Sequence, residues 1–273
     1  MQSRTSFATW AANQGLAMPP GVVCHAPEEV ATAVARWGPV MLKLDHTGAG
    51  LGVRRLDDAG EAVAIWAELG NPARALAQKF VPGRMGVTEC LASHGEVVAW
   101  WASFKERGFR PEGPSIARRL VNPPGMARLV ADVAAATGFH GPCGFDWIWD
   151  PERDEAPLLI EFHPRSTSGF GLGHHAGIDT PRALRALLEG GPQERQEPLT
   201  HEALGDAPVC WYFPEHLRYA LARRPAELRY WLPGAHAASW SLLDPSDLRP
   251  PLVDLCSGLG RLCARPWARR VVR

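Results

Sequence analysis

Apolar and polar positions follow helical and strand periods in alternation from about residue 5 to about residue 190, and the pattern predicts a mixed chain. Residues 5–14 have a helical pattern closed by Gly15, a residue free to take the left-handed conformation that ends helices. Pro19-Pro20-Gly21 precedes a short strand at 22–24. Pro27-Glu28-Glu29 opens a helix through Trp37, with Pro and acids in its first turn and Gly38 behind it. Residues 39–44 (PVMLKL) form an apolar strand that holds one lysine. The loop 45–52 (DHTGAGLG) follows, then a helix at 61–69 and a strand at 75–81 ending in Pro82-Gly83. Strands at 87–91 and 97–103 are predicted to pair as a hairpin turned at His94-Gly95. Residues 105–122 are polar, basic and punctuated by Gly and Pro, which predicts a loop. Residues 126–137 predict an alanine-rich helix stopped by Gly138, and 143–150 and 158–162 predict two strands around a charged turn. Antiparallel pairs among helices make the class α+β.

The expected domains are 1–189, with a smaller lobe at about 20–82 and a larger one at about 83–189. A linker at 190–208 and a C-terminal extension at 209–273, packed on the core, complete the chain. Apolar residues make up 46% of the sequence, enough for a real core. Lys+Arg and Asp+Glu are both 29, so no net charge draws the protein to nucleic acid or an anionic membrane, and any phosphate-binding charge must be local. No apolar run reaches the roughly 18 residues of a membrane span, and residues 1–10 lack a signal peptide's apolar stretch. The cytoplasm is the expected compartment, with no nucleic-acid or membrane partner. The 6 cysteines form no CxxC pair, which predicts free thiols rather than a zinc or disulfide framework.

Lys43 is the first candidate for chemistry. An ammonium in an apolar strand needs a partner, and a nucleotide phosphate would serve, with the loop of Gly48, Gly50 and Gly52 laying backbone N–H groups against other phosphate oxygens. A lysine reaching water from the strand end is the plainer alternative. Asp146, Glu161 and His163 form the second group. If their strands pair, Glu161 and His163 share a face and Asp146 meets them across the ladder, an arrangement suited to a hard cation; a merely charged strand face is the alternative. Arg165 stands where it would clamp a phosphate or carboxylate. Lys105, Arg107 and Arg110, with Arg118 and Arg119, make a basic segment that reads as a lid or as a solvated loop. His174-His175 and the arginines near the C-terminus read as structural and surface residues.

Taken in order, these segments resemble the ATP-grasp superfamily over about residues 5–185. PVMLKL with DHTGAGLGV is similar to its phosphate-binding lysine strand and glycine-rich loop, and ALAQKFVPG to its hinge. GFHGPCGFDWIWD and PLLIEFHPR are similar to its two metal strands. The resemblance implies two α+β lobes clasping ATP between antiparallel sheets. It also implies Lys43 on the phosphates, and Gln78, Lys79, Phe80 and Val81 around adenine with the backbone of 79–81 on its edge. Asp146 and Glu161 would then hold Mg²⁺, Arg165 would face the transferred phosphoryl group, and Lys105 and Arg107 would reach phosphate or substrate. His163 replaces the family's Asn, and imidazole favours Mn²⁺ over Mg²⁺. The family's usual N-terminal α/β domain is expected to be missing here, supplied by a partner or lost through a misassigned start, and a homodimer is the other expected assembly. The implied reaction joins a small-molecule carboxylate to an amine through an acyl-phosphate, with release of ADP and phosphate. Two other readings are a nucleotide-binding module without catalysis, acting in a complex, and a phosphotransferase or carboxylase component.

Overall fold

In the computed structural model, the residues described are 3–231, apart from 49, 110–112, 153–154, 192–193, 206, 208 and 213, together with Arg249 and Val253. Arg110, the later tail with its arginines, and Cys256 and Cys263 lie outside the described residues. The chain opens with helix α1 (Arg4–Asn13), whose N-cap Ser3 accepts a hydrogen bond from Ser6 N. The smaller lobe follows: β1 (Gly21–Cys24), α2 (Pro27–Trp37), β2 (Val40–Lys43), β3 (Val53–Leu56), α3 (Ala62–Glu68) and β4 (Ala75–Lys79). Its four strands are antiparallel in the order β1-β4-β2-β3. One face packs on α2 and α3 through Val30, Leu42, Leu56, Trp66 and Ala77.

The larger lobe holds β5 (Arg84–Ser93), β6 (Glu96–Gly108), β7 (Ser115–Val121), α4 (Met126–Thr137), β8 (Gly141–Trp149) and β9 (Leu158–His163). A 3-10 helix (Phe170–Ala176), α5 (Thr180–Glu189), α6 (His201–Leu204), β10 (Val209–Trp211), α7 (Glu215–Arg223) and a second 3-10 helix (Pro225–Trp231) complete the described chain. The six strands run in the order β10-β7-β6-β5-β8-β9, all antiparallel. Both faces of this sheet are covered, which explains the nearly unbroken apolar run on β6. Trp100, Ala102 and Phe104 pack under α1 and α4 with Phe7 and Val130, whereas Ala99 and Trp101 pack on the other face with Leu172, Ala183 and Leu187. Among the described residues no helix is long and apolar enough to cross a membrane.

Gly86 faces the indole of Trp147, and a Cβ there would lie 2.1 Å from that ring. Trp147 is fully buried and donates through Nε1 to Thr88 Oγ1 at 2.9 Å, so it has nowhere to retreat. Gly86→Ala should therefore lower stability by about 1–3 kcal/mol through overpacking. Urea melts should show a lower midpoint with an unchanged slope; an unchanged midpoint would mean the indole can move.

The structure corrects two expectations. Residues 105–108 and 115–121 are strand rather than loop, because β6 runs on to Gly108 and β7 starts at Ser115. Their polar side chains are paired within the protein: Lys105 bonds Asp146, and Arg118 lies beside Glu89. The expected linker at 190–208 lies against the core. Gln196 bridges to Ala99, Trp100 Nε1 donates to Glu197 at 2.8 Å, Leu199 N donates to Ala176 O, and α6 lies within the segment. The hinge strand stops at Lys79 rather than 81. The start of the expected extension, through β10, adds a strand to the larger sheet.

Candidate functional site

One face of the smaller sheet and one face of the larger sheet enclose a cleft of about 680 Å³. Lys43 ends β2 on its floor, 8% exposed. Its Nζ donates to Gln78 Oε1 at 2.7 Å, and Gln78 Nε2 in turn donates to Pro19 O at 3.1 Å, so a buried ammonium is held by a neutral amide. Burial lowers the Lys43 pKa from 10.5 to about 8; Glu161 and Asp146 pull it up and Arg4 pushes it further down. The loop above it depends on two glycines. Gly50 has φ +72°, and a Cβ on Gly52 would lie 2.3 Å from Thr47 Oγ1. Gly48 and Gly50 line the cleft.

At the hinge, Lys79 N donates to Pro20 O and Phe80 N to Pro39 O, so these two N–H groups are already engaged. Among the described residues Val81 N has no hydrogen-bond partner. An adenine edge would therefore meet the Val81 N–H and the backbone carbonyls, not all three amides. Gln78, Lys79, Phe80 and Val81 all line the cleft, and the Arg55 guanidinium covers the Phe80 ring at 4.0 Å.

Opposite Lys43, Asp146 on β8 pairs in register with Glu161 on β9. Asp146 Oδ2 accepts from Lys105 Nζ at 3.0 Å, and Oδ1 lies 3.1 Å from His163 Nε2. Burial would raise the Asp146 pKa, but Lys105 and His163 outweigh it and hold the carboxyl well below the usual range. Burial would likewise lower His163, yet the bond to Asp146 and the charge of Glu161 hold it above the ordinary imidazole value. Glu161 Oε2 accepts from Arg4 Nε at 3.4 Å. Arg165, exposed, donates to Ser166 O and has no carboxylate partner among the described residues. The cleft thus gathers Lys43, Lys105, Asp146, Glu161, His163 and Arg165. Arg107 stands apart: it is not among the lining residues, and its Nη2 bonds Glu227 Oε1 at 2.9 Å beside the last 3-10 helix. Among the described residues no three His, Cys, Asp or Glu side chains form a ready-made metal cage.

No protein-family model and no curated protein matches this chain. Solved structures do. The biotin carboxylase domain of 2-oxoglutarate carboxylase from Hydrogenobacter thermophilus, in complex with MgADP and bicarbonate, is similar over 77% of this chain and 49% of its own, at 17% identity and a TM-score of 0.59. N5-carboxyaminoimidazole synthetase from Staphylococcus aureus, complexed with ADP, gives 73% and 54%, 12% identity and 0.58. The ATP-grasp ligase PsnB, complexed with a precursor peptide and AMPPNP, gives 69% and 57%, 16% identity and 0.50.

The chain has the ATP-grasp fold. It spans about half the length of the solved structures it matches. Within this ATP-grasp cleft the structure adds a residue that sequence reasoning passed over. Arg4, at the start of α1, donates through Nη1 to Leu44 O at 2.6 Å and to Thr47 Oγ1 at 2.7 Å while its Nε meets Glu161. One cation thereby ties the glycine-rich loop to the acidic strand. The only sequence signal was a lone arginine one residue after a Ser N-cap, three before the first core position at Phe7.

The Lys43 pKa sets a pH signature for this ATP-grasp site. The native lysine has lost its proton above about pH 8, whereas an unfolded lysine keeps it to about 10.5, so this group makes stability rise with pH across that window. A bound phosphate favours the charged form and reverses the trend for ligand. Affinity for metal-free ATP should fall as pH rises above 8, by up to about tenfold per unit. Calorimetry at pH 8.5 in two buffers should register proton uptake. Absence of uptake would mean that Lys43 does not meet the phosphates.

Proposed function

We propose that this protein is an ATP-dependent, ADP-forming ligase that joins a carboxylate to an amine through an acyl-phosphate. The observation that carries the reading is Lys43, a buried ammonium held only by an amide, beneath a loop shaped by Gly50 and Gly52 and facing two carboxylates. Lys43 and Arg4 bind the ATP phosphates, and the hinge from Lys79 to Val81 orients adenine. Asp146 and Glu161 fit a divalent cation, since Mg²⁺ reaches nucleotides through one or two carboxylates and takes its remaining oxygens from phosphate and water. His163 would be a third ligand only in its neutral form, and an imidazole would shift the preference toward Mn²⁺. When bound, the cation supplies charge neutralisation across the terminal phosphates.

Arg165 holds the substrate carboxylate in line with the γ-phosphorus. A carboxylate oxygen attacks that phosphorus, the bond from the β–γ bridging oxygen to the γ-phosphorus breaks, and ADP leaves. Lys105 neutralises the acyl-phosphate oxygens; the amine nitrogen then attacks the acyl carbon and loses a proton to solvent as the C–O bond breaks and phosphate departs. Fixed cations act here by positioning and electrostatics.

The test is purified protein with ATP, Mg²⁺ or Mn²⁺, a carboxylate panel and hydroxylamine. ADP should accumulate, and hydroxylamine should intercept the intermediate as a hydroxamate. AMP and pyrophosphate would instead indicate an adenylate. Bound ATP with no nucleotide product across the panel would replace the ligase with a binding module acting in a complex. Asp146 already neutralised by Lys105 and His163 favours that second reading.

A further inference from the structure

Arg118 on β7 is 3% exposed, and a buried guanidinium needs acceptors for its donors. Its own surroundings provide only some of them. Nη2 reaches Ser168 Oγ at 3.2 Å and Thr167 Oγ1 at 3.4 Å, whereas Nε and Nη1 have no hydrogen-bond partner among the described residues. The nearest carboxylate, Glu89, stays 3.6 Å from Nη1. Glu89 directs its oxygens elsewhere, accepting from Thr167 N at 2.9 Å and from the Thr167 hydroxyl.

The guanidinium is held in this state. A Cβ on Gly169 would lie 2.1 Å from Nη1, so the backbone presses directly against it, and the Tyr212 ring stands 5.8 Å from Cζ. Arg118 nevertheless lines the cleft with Ser115, Thr167, Ser168 and Arg165. Six cationic side chains line that cleft against two carboxylates, Asp146 and Glu161, so anionic ligands are called for beyond the nucleotide's metal site. Neither ATP binding nor acyl transfer, as described above, uses Arg118.

We propose that Arg118, with Thr167 and Ser168, forms a subsite for a second carboxylate on the substrate, one that is not phosphorylated, so that the ligase acts on dicarboxylic acids, amino dicarboxylic acids included. The hydroxyls of Thr167 and Ser168 stand at Nη2 and line the cleft with Arg118, and a carboxylate that meets the guanidinium there would make the charge-assisted bond that Glu89, 3.6 Å from Nη1, does not make. A monoanion is the better fit than a phosphate group, because buried Glu89 would repel a dianion more strongly. This inference rests on the ligase reading for the fate of the first carboxylate, but the subsite can be read by binding alone.

The experiment is calorimetry or ligand-observed NMR on the full chain with matched pairs: succinate against succinamate, glutarate against glutaramate, aspartate against asparagine, glutamate against glutamine. At least one diacid should bind at least tenfold more tightly than its monoamide. Arg118→Lys should erase that difference. If that variant does not fold, Gly169→Ala takes its place, since it shifts the guanidinium without deleting the charge. No preference in any pair, or a preference that survives the substitution, would overturn the subsite. ATP titration is run separately: failure of ATP to bind would sink the ligase reading while leaving the diacid comparison intact.

Discussion

Lys43→Met should weaken ATP binding about tenfold to a hundredfold, the range set by losing a charge-assisted contact worth roughly 1.5–3 kcal/mol. Methionine keeps most of the volume, so the floor of the cleft stays filled. The fold should hold or even gain stability, since the native lysine is held by a neutral amide and its pKa is depressed by burial. The substitution leaves Gln78 Oε1 without its donor, a smaller cost than a buried unpaired charge. Calorimetry separates the two effects, with melting as the control. Affinity within twofold of the unsubstituted protein, in a folded variant, would remove Lys43 from the phosphate site.

Asp146→Asn is expected to act on both folding and function. The carboxylate joins β8 to Lys105 of β6 and to His163 of β9, and its removal leaves the Lys105 ammonium without its counter-charge and with little exposure. The expected loss is about 3 kcal/mol, at the low end for breaking a buried pair. The ratio of ATP affinity with Mg²⁺ to that without it should fall toward one, because a single carboxylate remains. A cycle with Lys105→Met separates the roles: the double variant should recover part of the stability but none of the metal dependence. If the Mg²⁺ enhancement survives in Asp146→Asn, the cation is held elsewhere.

Periodicity made much of the fold legible. The β5–β6 hairpin, α2 and α4 follow from apolar spacing and glycine stops, and Asp146 meets Glu161 because two-residue alternation places them on one face. β7 stayed hidden because SIARRLV carries two arginines, and a buried ion pair is invisible until Glu89 is known to lie beside it. Arg107 lies outside the cleft lining for a geometric reason. Lys105 and Arg107 would share a face of a regular strand, but the register shifts between them and again before Gly108. The irregularity turns Lys105 to Asp146 and sends Arg107 to Glu227, a partner some 120 residues further along the chain. Arg4 was missed because its role comes from the docking of α1 on the cleft, which no local pattern encodes.

The place of β10 outside β7 has a consequence for the order in which the protein takes shape. The ribosome releases β7 long before Val209–Trp211, and at about 5–20 residues per second the nascent sheet waits several seconds with the outer backbone of β7 unpaired. An open strand of this kind invites pairing with a neighbouring chain.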